Sequence, residues 1–306
     1  MPPLAKPYAL RPGGTIGIAA PAFPVDPKKL ASGEAMWKKA GFQVQRRDDL
    51  LNVDGFLAGD DARRGKELSE LFADPMIDVV LCARGGYGCH RIVSMLDARR
   101  VRAARKPLVG YSDITTLLLW QRRCAGMVGF HGPMLEKGDH QAAEALAALV
   151  SVLTGASPGP VLRGRAGRGG RAEGRLVGGN LVTLVASLGT PWEIDTRGAI
   201  LLFEEIGERP YRVDRLLQQL RAAGKLDAAA GVGVGSLSGC DDARYPRPSA
   251  EEVVAAVVGP LRIPLVVGLP FGHEGPNLVW PFGVRGRIDG EAGTVEPLER
   301  GVVPAS

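Results

Sequence analysis

Short apolar runs alternate with amphipathic stretches over the first part of the chain, from residue 15 to residue 132. TIGIAA, IDVVLC and LVG are apolar throughout, which is typical of strands that helices cover on both faces. Segments between them, such as PKKLASGEAMWKKAG, have the periodicity of a helix. The pattern predicts an α/β fold whose N-terminal domain is a doubly wound parallel sheet of the flavodoxin-like type, with sites at the carboxyl ends of its strands.

The composition changes after residue 140, where a helical segment runs into a Gly-, Pro- and Arg-rich stretch. This change predicts a domain boundary. We expect an N-terminal domain at residues 1–137, a linker with a helix at 138–170, and a smaller C-terminal α/β domain, rich in strands, at 171–306. The basic cluster at residues 163–175 lacks aromatic residues that stack on bases, so its glycines favour a flexible linker over an RNA-binding arm.

Overall composition excludes several classes of protein. A chain of 306 residues with 45% hydrophobic content is long enough for two cores. The net charge of +5 comes from arginines that alternate with acids, so we expect neither nucleic acid nor a membrane as partner. The absence of a signal-peptide pattern and of a membrane-spanning apolar run predicts a soluble, cytoplasmic protein. Four cysteines without a C-x-x-C pair, and no recognisable nucleotide loop, predict neither a metal nor a cofactor.

Two turns that follow predicted strands contain residues suited to catalysis. Ser112 ends an apolar strand in GYSD and leads directly into a helical pattern. A serine on such a strand-to-helix turn is a candidate nucleophile, although the same position suits a helix N-cap. One strand away, Gly85, Gly86 and Gly88 of ARGGYG suit either an oxyanion hole or a tight turn. The local sequence leaves both alternatives open for each turn.

A base for Ser112 has few candidates, because the chain contains four histidines, at positions 90, 131, 140 and 273. His273 lies in FGHEGPN, a turn between apolar strands, where loop placement favours function and a solvent-exposed turn histidine is the alternative. Glu204 and Glu205 end the apolar run AILLFEE, where a buried carboxylate needs a partner such as a histidine. A surface position or a salt bridge is the alternative for either glutamate.

Five motifs together resemble the LD-carboxypeptidase family of serine peptidases: RGGYG, GYSDIT, GGNL, LLFEE followed by GERPYRVDR, and FGHEGPN. The resemblance runs over about residues 15–289, and the order of the motifs makes it more specific than any single one. It implies Ser112 as the nucleophile, His273 as the base and Glu204 as the carboxylate that orients the base. Glu205 remains a rival for the last role.

The resemblance also implies an oxyanion hole formed by the backbone N–H groups of Gly86 and Asp113. Because the base and its carboxylate follow the predicted linker, we expect the active site in a cleft between the two domains. Candidates for contacts with the substrate are Arg84, Asn180 and Trp192. A structural salt bridge, a helix cap and a core position are the respective alternatives.

The reaction that the resemblance implies is release of the terminal D-alanine from murein tetrapeptide during cytoplasmic cell-wall recycling. A homodimer is a further expectation. The closest alternative is a self-immunity peptidase that cleaves a microcin C-like peptidyl or aminoacyl nucleotide, with Trp192 or Trp280 as stacking surface. A third interpretation is a non-catalytic module that binds a small anion and uses Ser112 only as a cap.

Overall fold

The computed structural model describes residues 3–135 and 141–304. Its N-terminal part alternates strands with helices: β1 (Thr15–Ala19), α1 (Pro27–Lys39), β2 (Gln43–Gln45), α2 (Asp61–Ala73), β3 (Val79–Cys82), α3 (Cys89–Ile92), α4 (Ala98–Ala104), β4 (Leu108–Gly110), α5 (Thr115–Trp120) and β5 (Gly129–His131). Strands β3, β4 and β5 are buried along their whole length, as continuous apolar runs predict.

The C-terminal part contains more strands than helices: α6 (Gln141–Leu153), β6 (Leu162–Arg163), β7 (Arg165–Arg168), β8 (Arg171–Asn180), α7 (Leu181–Ala186), β9 (Ile200–Ile206), α8 (Pro210–Ala222), β10 (Gly231–Ser238), α9 (Ala250–Val258), β11 (Leu265–Val267), β12 (Trp280–Phe282), β13 (Arg285–Asp289) and β14 (Thr294–Pro297). Short 3-10 turns lie at Asp48–Leu51, Val93–Met95, Ser112–Ile114 and Gly259–Leu261, and a π-helical turn lies at Gln121–Ala125. No helix in the described ranges is both long and apolar enough to cross a membrane.

The first sheet confirms the predicted doubly wound fold. Strands β1 to β5 are parallel and lie in the order β2-β1-β3-β4-β5, which is the flavodoxin-like order. The sequence did not indicate that a sixth strand joins this sheet: β12, from the C-terminal part, pairs antiparallel with β5 and places Trp280 opposite His131. The C-terminal part of the chain therefore completes the sheet of the N-terminal part.

The second sheet has eight strands among the described residues. Its centre is parallel, in the order β8-β9-β10-β11, and antiparallel strands cover both sides: β13, β14 and β6 beyond β8, and β7 beyond β11. The segment GVGVGS lies in β10, as its small apolar residues predict for a strand. The expectation of a strand-rich α/β second part is confirmed.

The Gly/Arg-rich stretch is not a flexible linker, which corrects the prediction for residues 163–175. It forms β7 and the first half of β8, both of them paired with neighbouring strands. Its glycines serve close packing, since a Cβ on Gly164 would lie 2.3 Å from the carbonyl oxygen of Val267. Two of its arginines form exposed ion pairs, Arg165 with Glu251 and Arg171 with Asp289. The stretch is thus ordered by strand pairing, although most of its side chains face solvent. The predicted boundary between residues 137 and 138 lies outside the described residues, as does His140, so the division into domains stays a prediction.

Strand β8 lies so close to β9 that one glycine admits no side chain. A Cβ on Gly178, where φ is +149°, would lie 1.6 Å from the carbonyl oxygen of Leu202. We expect Gly178→Ala to lower the free energy of unfolding by about 3 kcal/mol or more, because both the backbone and the strand pairing must shift. The control is Gly189→Ala, where φ is +78° and nothing lies within 4 Å, with an expected loss of about 1 kcal/mol. Equal losses in urea unfolding would contradict this account of β8.

Candidate active site

Ser112 lies on a strained turn at the carboxyl end of β4. Its φ is +62°, a left-handed value that is costly for a residue with a side chain. Gly85 leaves room for this turn, since a Cβ there would lie 2.8 Å from the Cβ of Ser112. Tyr111 occupies the position before the 3-10 turn and no side chain caps it, so the N-cap interpretation of Ser112 is wrong. The turn instead presents the Ser112 hydroxyl above the sheet edge.

The hydroxyl of Ser112 is the first member of a hydrogen-bonded series. Its Oγ lies 3.2 Å from Nε2 of His273, and Nδ1 of the same ring lies 2.6 Å from Oε2 of Glu204. An acceptor at Nδ1 favours the tautomer that carries its proton there, so Nε2 is free to accept from the serine. Glu204 is fully buried at the end of β9, while the side chain of His273 is 15% exposed. The predicted serine, histidine and glutamate are therefore in contact.

Glu205 points away from this series and has other partners. Its carboxylate accepts hydrogen bonds from Nδ2 of Asn180 at 3.1 Å and from the backbone N–H groups of Val182 and Ile206 at 2.8 Å each. Of the two rival glutamates, only Glu204 contacts His273 among the described residues. Glu205 instead ties the end of β9 to the start of α7.

Asn180, which donates to Glu205, also contacts the helix that follows Ser112. The backbone N–H of Asn180 donates to Oγ1 of Thr115, at 3.1 Å, in the first turn of α5. Gly179 allows this approach, because a Cβ there would lie 2.3 Å from the same oxygen. The carboxyl end of β8 is thus fixed directly against the helix of the serine turn, and that of β9 is linked to it through Glu205 and Asn180.

His273 lies in the segment 268–279, which runs from β11 in the second sheet to β12 in the first. Asn277, fully buried, accepts a hydrogen bond at 2.9 Å from the backbone N–H of Gly272 through its side chain. The Ser236 hydroxyl accepts from the N–H of Glu274 at 3.3 Å. These contacts fix both sides of His273. Sequence reasoning missed Asn277 and Ser236, although Asn277 belongs to the quoted FGHEGPN motif.

A cleft of about 410 Å³ opens beside Ser112 and His273. Its walls are Phe23, Lys29, Arg84, Gly85, Gly86, Tyr111, Met134 and Ile206. Gly86 has a φ of +112°, and a Cβ there would lie 2.4 Å from the ring of Phe23. Asp113 carries its carboxylate away from the cleft, where it accepts from the N–H of Cys89 at 2.8 Å. The oxyanion role of the Gly86 and Asp113 N–H groups stays a prediction.

The three residues predicted to touch substrate differ in position. Arg84 lines the cleft, where Nη1 donates to the carbonyl oxygen of Pro24 at 2.9 Å. Asn180 and Trp192 are not among the described residues of the cleft wall. Oδ1 of Asn180 accepts from the N–H of Thr183 at 3.1 Å, so the residue caps α7. The ring of Trp192 lies 5.6 Å from that of His90. This geometry does not favour substrate contacts for Asn180 or Trp192.

The fold and the site together define a hydrolase of the serine type. A sequence model described as the LD-carboxypeptidase N-terminal domain matches residues 16–132, and one described as the LD-carboxypeptidase C-terminal domain matches residues 173–288. The chain belongs to the LD-carboxypeptidase family, whose members are serine-type carboxypeptidases. The resemblance seen in the five motifs is confirmed.

Named relatives cover most of the chain. A probable murein peptide carboxypeptidase of Bacillus subtilis is 38% identical over 306 residues, which cover 93% of this chain and 91% of the relative. The murein tetrapeptide carboxypeptidase of Pseudomonas aeruginosa is 33% identical over 247 residues, which cover 77% and 80%. A solved structure of a microcin C7 self-immunity protein in complex with aspartyl sulfamoyl adenosine has a TM-score of 0.89 and 24% identity, covering 99% of this chain and 100% of that one. That likeness concerns the fold.

The buried carboxyl of Glu205 predicts a pH-dependent stability. Burial raises its pKa from 4.5 to about 7, although the N–H groups that donate to it oppose the shift. The folded protein therefore keeps a proton that the unfolded chain releases between these values. The proton stabilises the folded state by roughly 3 kcal/mol. This stabilisation is fully present below the pKa of the unfolded chain, 4.5, and is lost as pH rises through the pKa of the folded protein, about 7. Urea unfolding measures the free energy of unfolding at each pH. Between about pH 5 and about pH 8, this free energy should fall less in Glu205→Gln than in the parent.

Two further glutamates define the controls for this measurement. Burial raises the pKa of Glu67 to about 7 as well. Because of Glu67, the free energy of unfolding of Glu205→Gln should still fall with pH, with part of the slope of the parent. Glu173 is partly exposed, and hydrogen bonds from Arg287 and Arg285 lower its pKa, so Glu173→Gln should keep the parent slope in this range. A slope in Glu205→Gln as steep as that of the parent contradicts the prediction.

Proposed function

We propose that this enzyme releases the terminal D-alanine from murein tetrapeptide by hydrolysing the L,D bond. The observation that carries the proposal is the hydrogen-bonded series of Ser112, His273 and Glu204 at the end of an open cleft. The murein peptide carboxypeptidases among the relatives support this substrate. A cytoplasmic location, a place in cell-wall recycling and a homodimer stay predictions.

The proposed reaction starts at Ser112. His273 takes the hydroxyl proton at Nε2 while Oγ attacks the carbonyl carbon of the L,D bond. Glu204 keeps the Nδ1 proton in place and stabilises the imidazolium that forms. The backbone N–H groups of Gly86 and Asp113 are proposed to stabilise the oxyanion, by about 3 to 4 kcal/mol per donor in comparable enzymes. The imidazolium then protonates the leaving D-alanine, and water releases the acyl group from the serine.

A second candidate is cleavage of a peptidyl or aminoacyl nucleotide. Trp280 does not provide the expected stacking surface, because it is fully buried against His131 at a ring distance of 4.8 Å. Phe23, however, lines the cleft and contacts exposed Phe56, with ring centroids 6.3 Å apart. Tyr87 extends this aromatic surface at 5.8 Å from Phe56. Such a surface suits a base as well as it suits other planar or apolar groups.

Competing substrates decide between these candidates. We expect the purified protein to release D-alanine, identified by its chirality, from murein tetrapeptide. An aminoacyl sulfamoyl adenosine or a peptidyl adenylate should be cleaved with a kcat/KM at least about tenfold lower. This factor corresponds to about 1.4 kcal/mol in transition-state stabilisation. Cleavage of the nucleotide conjugate without release of D-alanine would favour the second candidate and reject the first.

Ser112→Ala removes the proposed nucleophile. Because no other described side chain takes its place in the hydrogen-bonded series, we expect kcat on tetrapeptide to fall by about 10⁴-fold or more. Ser94→Ala is the matched control, since Ser94 is exposed and lies outside the cleft. A Ser112→Ala protein that retains the rate of the Ser94→Ala protein is incompatible with the mechanism. Circular dichroism and urea unfolding verify that both variants fold.

A further inference from the structure

The charged side chains that line the cleft beside Ser112 are all positive among the described residues. Lys29 and Arg84 line it, whereas no aspartate or glutamate stands among its described lining residues. A group with negative charge is therefore favoured in this cleft. The two cations come from different elements, Lys29 from the first turn of α1 and Arg84 from the turn that follows β3.

Arg84 has a structural role in this wall. Its Nη1 donates to the carbonyl oxygen of Pro24, and its guanidinium carbon lies 5.7 Å from the ring centroid of Phe23. The guanidinium is thus held against the segment that precedes α1. Because the guanidinium is planar and rigid, these contacts fix its orientation in the wall.

Lys29 is placed differently. It is exposed, and its backbone N–H donates to the side chain of Asp26 at 3.0 Å at the helix start. Within residues 3–135 and 141–304, no carboxylate forms an ion pair with its ammonium group. A lysine offers three donors on a flexible stem, so this ammonium can follow an anion into the cleft.

We propose that Lys29 binds the free terminal carboxylate of the substrate and so restricts the enzyme to removal of a single C-terminal residue. The inference rests on the proposed function. In the substrate, only the amide nitrogen and one Cα separate the scissile carbonyl carbon from the carboxylate carbon. Bond lengths keep these two carbons within about 4 Å of each other. The carboxylate must therefore lie in the same cleft when Ser112 attacks, and a cation on the cleft wall can form a charge-assisted hydrogen bond with it.

The test compares two substrates, murein tetrapeptide and the same peptide ending in D-alaninamide, which lacks the negative charge. We expect the parent to prefer the free acid by about tenfold to a hundredfold in kcat/KM, since hydrogen bonds to charged groups have effects of that size. Lys29→Met keeps the apolar stem and removes the charge, and it should lose most of that preference. Lys29→Arg, which restores a cation, should recover part of it.

Lys28→Met is the matched control, because Lys28 precedes Lys29 on the same helix turn, is equally exposed and does not line the cleft. It should keep the parent preference. A Lys29→Met protein that keeps the full preference, or a parent without any preference, overturns the role of Lys29 while D-alanine release still supports the proposed function. A parent that releases neither D-alanine from the free acid nor D-alaninamide from the amide overturns the proposed function and this inference with it.

Discussion

The contact between Ser112 and His273 depends on how two sheets are docked. The serine belongs to the first sheet, whereas Glu204 and the start of the histidine segment belong to the second. That segment ends in β12, which pairs with β5 beside the serine strand. The 3.2 Å distance from Oγ to Nε2 therefore exists only when the C-terminal part of the chain has completed the N-terminal sheet. A direct bond from Asn180 to Thr115 fixes the same junction close to the site.

The two neighbouring glutamates are both buried, but they have different partners. Glu204 is fully buried, and its Oε2 lies 2.6 Å from Nδ1 of His273. Glu205 is equally buried but accepts three N–H groups from the β8–β9 end of the second sheet. One carboxylate thus contacts the imidazole ring, and the other binds N–H groups at the ends of β8 and β9 and at the start of α7. A single step along a strand separates these roles, because successive side chains point to opposite faces.

The sequence predicted the first sheet well, because buried parallel strands are apolar runs and their carboxyl ends mark sites. It predicted the contact partners of Ser112 through motifs. It failed at residues 163–175, where glycines that serve close packing looked like glycines that give flexibility. It also failed to indicate that β12 pairs with β5, since pairing between distant segments leaves no local pattern. Lys29 gave no signal, because a lysine in a first helical turn is ordinary and only the fold places it at the cleft.

The most direct measurement of the central claim is labelling of the protein with a fluorophosphonate, followed by peptide mapping in a mass spectrometer. Such a reagent reports a serine that a neighbouring base activates. The account predicts one label on the peptide that contains Ser112 and loss of labelling in His273→Ala, although this residue comes from the other sheet. A label on a different residue, or equal labelling of the parent and His273→Ala, would contradict it.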